Sequence, residues 1–154
     1  MIFYRICKTR YAKDLNGKGA EKLGGRWNSI GVPIVYVSDS IAACILEIAV
    51  HQPLGIMPKN YSLITFQLPE NTSISEIKMN GLVKNWSSSR NINLTQEIGD
   101  RFSKENKHLV LKVPSASAQG GFNHLINPNH SDFKKIKIKK IEPFGFDNRL
   151  FSKS

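Results

Sequence analysis

"GGRWNSIGVPIVYVS" (24–38) runs directly into "DSIAACILEIAVHQP" (39–53), and these two stretches decide the fold. "VPIVYVS" (32–38) is a short apolar run rich in β-branched residues, which predicts a buried strand. The next segment predicts a helix, with Asp39 or Ser40 as N-cap and Pro53 as the stop. This strand–helix unit is not repeated. "MIFYRICK" (1–8), "NYSLITFQLPE" (60–70), "HLVLKVPSAS" (108–117) and "FKKIKIKKIEPF" (133–144) read as further strands, and "NLTQEIGDRFSKE" (93–105) as a second helix. Residues 9–31 read as mostly loop, as does "AQGGFNHLINPNHSDF" (118–133), and "FGFDNRLF" closes the chain. Strands outnumber helices without regular alternation, so the expected class is α+β: a compact mixed sheet with flanking helices, in one domain over residues 1–154.

Gly24 and Gly25 stand directly before Arg26. Glycine lets the backbone approach another group closely or take φ > 0. Arginine offers a planar fork of donors suited to phosphate or carboxylate. One reading is a tight turn followed by a surface arginine; the other is a site where an anion lies against the main chain.

The formal charge of +10 and a pI near 9.8 imply acidic partners: nucleic acid, phosphorylated small molecules or an acidic protein. Lysines concentrate only in 133–144, where Lys135, Lys137 and Lys139 alternate with Ile136 and Ile138. That period of two predicts a strand with one apolar and one lysine face. Lysines there serve either to guard an edge strand or to bind nucleic acid. Cys7 and Cys44 sit far apart in apolar runs, as buried thiols in a reducing compartment do. No CxxC pair, zinc-like histidine spacing, P-loop, dinucleotide fingerprint or GxSxG elbow is present, so no metal is expected. There is neither a secretory signal nor a run long enough to span a membrane, and a cytoplasmic location is expected.

Glu47 is the only residue from Ile41 to Val50 that is not apolar. A helix apolar all round is expected to be buried. An ionised carboxylate there is costly unless paired or facing a cleft. Glu47 is therefore either a glutamate on a narrow exposed edge or a carboxylate held in a low-dielectric pocket to stabilise positive charge. Ser115 follows the strand-ending Pro114, at a tip where side chains reach clefts. Asn123 and Asn127 fall in the predicted loop with Gly120, Gly121 and Pro128, a composition that turn chemistry alone explains.

Together, "YRICKTRYAKDLNGKGAEKLGGRWNSIGVPIVYVSDSIAACILEIAVH", "TQEIGDRF", "LVLKVPSA", "NHLINPNH" and "FDNRL" resemble, in order and spacing, the RES-domain toxins of bacterial toxin–antitoxin pairs. The family's arginine, glutamate and serine correspond to Arg26, Glu47 and Ser115. Its tyrosine corresponds to Tyr36 and its asparagine to Asn123. Gly121 stands where a glutamate is common in the family, and His124 where a tyrosine or phenylalanine is.

The resemblance implies a fold similar to the diphtheria-toxin type of ADP-ribosyltransferase, with NAD+ as substrate and no further cofactor. It implies cleavage of the nicotinamide–ribose bond by hydrolysis, phosphorolysis or transfer of ADP-ribose to a protein. Implied partners are an Xre-like helix-turn-helix antitoxin that covers the active site and a second copy in a homodimer, with no direct nucleic-acid binding. On this reading Arg26 clamps the pyrophosphate, and Glu47 stabilises the oxocarbenium-like centre or orients a ribose hydroxyl. Tyr36 stacks on the nicotinamide ring, and Ser115 bonds phosphate or ribose. The contrasting expectation, from charge alone, is a noncatalytic nucleic-acid-binding module using the lysines of 134–140, with strongly salt-dependent affinity.

Overall fold

The computed structural model describes residues 1–153. Seven strands and three α-helices follow in the order β1 (Ile2–Lys8), α1 (Lys18–Leu23), β2 (Val35–Val37), α2 (Ile41–His51), β3 (Tyr61–Gln67), β4 (Ile74–Glu76), α3 (Ile92–Glu105), β5 (Val110–Pro114), β6 (Phe122–Ile126) and β7 (Lys137–Phe144). The class is α+β, as expected. The strands divide between two sheets, β1-β3-β7 and β2-β6-β5-β4, in which only the β4–β5 pair is parallel.

Alternation along the strands sorts the apolar residues into three cores. Phe3, Ile64 and Phe66 of the first sheet meet Val35, Val37, Val110 and Ile126 of the second, so the two sheets pack face to face. The other face of the second sheet, with Leu111, Val113 and Leu125, is covered by Phe102 of α3 and by Trp27 and Trp86. The other face of the first sheet, with Ile6 and Leu63, is covered by Cys44 of α2 and by Phe146 and Phe151 near the C-terminus. Phe146 anchors that tail through edge-on contacts with Tyr61, Phe144 and Phe151. The sheets are stitched by a reciprocal main-chain pair in which Tyr4 N donates to Ser38 O at 2.7 Å and Ser38 N to Tyr4 O at 2.9 Å.

Ser40, rather than Asp39, caps α2: its Oγ accepts from Ala43 N at 3.3 Å. The expected burial of α2 is corrected. Only Cys44 is buried, while Ala42 and Val50 are exposed, because the helix packs on one face against β1 and β3 and nothing covers the other. The segment read as loop before the lysine strand contains β6, which is central in its sheet. Asn123 lies on that strand, and Asn127 directly follows it. Its flanking glycines and prolines hide a strand held by pairing on both sides. The loop expected over 9–31 contains the short α1, whose N-cap Gly17 adopts φ +69°. The lysine-rich strand is β7, at the edge of its sheet, as the guarding reading requires, but it begins at Lys137: residues 131–135 wind into a short 3-10 helix, so Lys135 precedes the strand instead of alternating along it. Its apolar side is poorly covered, since Ile138 and Ile141 are exposed. Of the two thiols, Cys44 is buried and Cys7 half-buried. Among the described residues no helix is long and apolar enough to cross a membrane.

Candidate active site

Beyond the Tyr4–Ser38 stitch a cleft of about 1020 Å3 opens between the sheets, at the upper end of small-molecule sites. Arg5 of β1, Arg26, Tyr36 of β2, Glu47 and His51 of α2, and Asn123 of β6 all line it. Residues far apart in sequence thus converge on one cavity. Glu47 is its only carboxylate among the described residues, against the basic Arg5, Lys8, Arg26 and His51. Such a lining attracts anions and gives one negative charge a distinct place.

Glu47 is held from the far side of the cleft. Asn123 Nδ2 donates to Glu47 Oε1 at 3.0 Å, and Ser115 Oγ reaches the same oxygen at 3.4 Å. Both engage Oε1, which leaves Oε2 for a bound molecule. Ser115 is itself fixed, since its Oγ accepts from Ser117 N at 3.2 Å and Ala118 N at 3.1 Å. Its own N–H closes the loop by donating to Gly121 O at 2.9 Å. Ser115, Asn123 and Glu47 therefore form one hydrogen-bonded group, and the functional reading of Asn123 gains a partner that turn chemistry would not supply. Asn127 stands apart: its Nδ2 donates to Ser103 O and Asn106 Oδ1, tying the end of β6 to the end of α3.

On the opposite wall, residues 24–28 form an arm that carries Arg26. Gly24 takes φ +70°, where other residues are strained. A Cβ on Gly25 would lie 2.7 Å from the Tyr36 hydroxyl and 2.8 Å from Asn28 Oδ1, so only glycine fits. The Tyr36 hydroxyl is fully engaged beneath the arm. It donates to Asn28 Oδ1 at 2.7 Å and accepts from Trp27 N at 3.1 Å. Burial pushes the Tyr36 pKa well above the ordinary tyrosine range, so the phenol stays neutral and its ring serves as a wall. The Arg26 guanidinium is lightly held, by one contact of 3.5 Å to Trp86 O, and remains able to take an anion.

Sequence reasoning singled out Arg26, Tyr36, Glu47, Ser115 and Asn123; the structure places Arg26, Tyr36, Glu47 and Asn123 in the lining of this cleft and Ser115 behind it, in contact with Glu47. It passed over Arg5 and Lys8, the two basic residues of the otherwise apolar or aromatic β1, and His51, one turn beyond Glu47. It also passed over the meaning of "TQEIGD": Thr95, Gln96, Gly99 and Asp100 all touch the arm or the turn that follows it. Cys44 lines the cleft three residues before Glu47, and burial pushes its thiol up to about 12, so it rests there as a neutral thiol. His124 points away from the cleft into the inter-sheet core, with its ring 4.6 Å from that of Phe3. His124 therefore does not contribute to the site's lining.

The family model for the RES domain matches residues 2–147. The chain belongs to the RES-domain family. It is 35% identical to the Prs ADP-ribosylating toxin of Sphingobium sp., covering 99% of this chain and 98% of that protein. It is 36% identical to the toxin Res of Pseudomonas putida, over 98% of this chain and 100% of the relative. A third relative, the toxin Res of Photorhabdus laumondii, is 33% identical over 97% of both chains. Among solved structures, a chain of the M. tuberculosis MbcT–MbcA toxin–antitoxin complex superposes with a TM-score of 0.73 at 18% identity, over 97% of this chain and 86% of that one. At that identity the likeness shows the shared fold.

Proposed function

We propose that this RES-domain protein is the toxin of a toxin–antitoxin pair and acts by breaking the nicotinamide–ribose bond of NAD+. The observation that carries the reading is Glu47: a carboxylate gripped through one oxygen by Asn123 and Ser115, and the only acidic side chain, among the described residues, in a cleft whose other charged residues are basic. Arg26, raised on the glycine arm, takes the pyrophosphate, and Arg5 adds a second positive charge on the same anion. As the bond between the ribose carbon and the nicotinamide nitrogen breaks, its electron pair leaves with neutral nicotinamide. Positive charge collects on the ribose, and the free Glu47 Oε2 faces it or holds a ribose hydroxyl. An acceptor oxygen, from water, phosphate or a protein side chain, then bonds to that carbon and loses its proton. The names of the Sphingobium and Pseudomonas relatives support a toxin, and the former supports ADP-ribose transfer. A cytoplasmic location, an Xre-like antitoxin closing the cleft, and a homodimer complete the proposal.

Purified protein mixed with NAD+ should release nicotinamide, and mass spectrometry of the ADP-ribose product identifies the acceptor. Arg26→Ala should mainly raise KM, because the pyrophosphate is present in ground and transition states alike. Glu47→Gln should mainly lower kcat, on the order of 10²–10³-fold or about 3–4 kcal/mol, since the amide keeps the shape and loses the charge. A folded Glu47→Gln protein with wild-type kcat would sink the mechanism.

A further inference from the structure

The main chain on both sides of Arg26 is pinned by side chains of α3. Gln96 Nε2 donates to Gly25 O at 2.9 Å, and Thr95 Oγ1 donates to Arg26 O at 2.5 Å. Those two carbonyls belong to the two peptide planes that flank the Arg26 Cα. The second plane is held at its other end too, where Trp27 N donates to the Tyr36 hydroxyl at 3.1 Å. Fixing both planes fixes φ and ψ of Arg26 and the direction in which its side chain leaves the backbone. The adjoining turn is secured by Asp100 Oδ1, which accepts from Ser29 N at 2.9 Å.

Thr95 is 1% exposed, and its hydroxyl also lies 2.9 Å from Ile92 O within its own helix. A helical threonine with that local acceptor needs no second partner, yet the shorter contact goes to the arm. The guanidinium, by contrast, has only its 3.5 Å contact to Trp86 O. Where Arg26 reaches is therefore decided at its backbone, and α3 decides it.

We propose that Thr95 and Gln96 are positioning residues for the anion contact of Arg26: through Gly25 O and Arg26 O they hold the arm at the height where the guanidinium meets the bound dinucleotide. The role rests on the NAD+ reading above. An error of about 1 Å in a positioning group costs on the order of 100-fold. Each single variant loosens one plane and leaves the other held.

The test uses Thr95→Val, Thr95→Ser and Gln96→Leu in the full chain. Thr95→Val keeps the shape and removes the donor. Gln96 is half-buried, so Gln96→Leu preserves the fold even if the buried valine does not. The expected result is a KM for NAD+ raised about tenfold in the valine and leucine variants, with kcat within about threefold. Thr95→Ser should return to near wild type. Hydrogen exchange should accelerate at the amides of 25–28, with β5 and β6 unchanged, a readout that does not depend on turnover. Unchanged KM and unchanged exchange in both variants would overturn the clamp, as would equal losses in the serine and valine variants. A wild-type protein that never turns over NAD+ would instead overturn the functional reading beneath it, whatever exchange reports about the arm.

Discussion

The two walls of the cleft are built on opposite principles. The arm wall is braced along its backbone: Thr95 and Gln96 hold its carbonyls, Asp100 holds the turn that follows, the fully buried Asn28 ends it, and Tyr36 closes it from below. Asn28 Nδ2 alone reaches Ala20 O, Ser29 O and Val32 O. The carboxylate wall is a half-exposed helix whose one functional side chain is held through a single oxygen by Asn123 of β6 and by Ser115, just past the end of β5. On the proposed NAD+ reading, a charge that meets a fixed diphosphate benefits from rigid backbone. A charge that answers a developing cation needs a free oxygen and freedom from competing partners. The difference shows why buried apolar surroundings were a misleading sign for Glu47. What isolates it is a cleft on one side and two amide- or hydroxyl-bearing residues on the other, not a covering core.

The braced wall should fail first and hardest at Gly99. A Cβ there would lie 1.6 Å from Trp27 O, with the Trp27 carbonyl carbon at 2.8 Å, so α3 would have to lift off the arm. Gly99→Ala is expected to cost about 3 kcal/mol of stability, at the upper end of overpacking effects. Thermal melts give the cost, and the two tryptophans, whose rings lie 5.7 Å apart, report the shift by fluorescence. An alanine variant that melts like wild type would mean that α3 and the arm are not in fixed contact, and the contrast between the walls would dissolve.

That close approach also marks the limit of what the sequence discloses. β1, β3, β5, α2 and α3 announce themselves, because their apolar periodicity and stop signals are local. β6 does not: "FNHLI" is five residues flanked by glycine and proline, and it becomes a strand only by pairing with β2 and β5. β4, three residues long, needs its parallel partner β5 in the same way. For the site, residue type and order sufficed to nominate Arg26, Tyr36, Glu47, Ser115 and Asn123. The hydrogen bonds joining the last three span 68 and 76 residues, and no spacing rule encodes them. The same holds for Thr95 and Gln96, which read as ordinary polar positions on an amphipathic helix until the arm is seen above them.

A smaller effect is expected at His124, between the walls but facing the other way. It is 4% exposed, and its Nδ1 has no hydrogen-bond partner. Burial, aided by Lys112 and opposed by Asp39 and Glu76, holds its pKa below the ordinary value of 6.5. The folded protein therefore binds fewer protons at this site than the unfolded chain. Stability from this source is intact above about pH 6.5 and falls as the pH drops through that value toward the folded pKa. His124→Phe removes both the orphaned nitrogen and the acid penalty, and should add on the order of 1 kcal/mol at neutral pH. The gain should widen at pH 5.5, with NAD+ turnover unchanged. Melts of both proteins at pH 7.5 and 5.5 decide it: an equal gain at both pH values would show that His124 is not the group that titrates.

The smallest effect should come from β7 and the short turn of 131–135 that leads into it, which belong to neither wall. Lys135 pairs with Asp132 at 2.8 Å, but both side chains are about half exposed, and surface pairs of this kind contribute on the order of 0–1 kcal/mol. Lys137 and Lys139 are exposed on the sheet's outer strand. None of the three lines the cleft. Their arrangement on an edge is what keeps a strand with exposed Ile138 and Ile141 from pairing with another chain. Replacing Lys135, Lys137 and Lys139 together with glutamine should leave NAD+ turnover within a few-fold of wild type and the melting temperature nearly unchanged. The visible consequence should be greater self-association, measured by light scattering at increasing protein concentration and moderate salt. If the triple variant stays monodisperse and loses most of its activity while folded, the lysines serve the bound molecule or its acceptor, and the cationic field of the cleft extends further than its lining residues indicate.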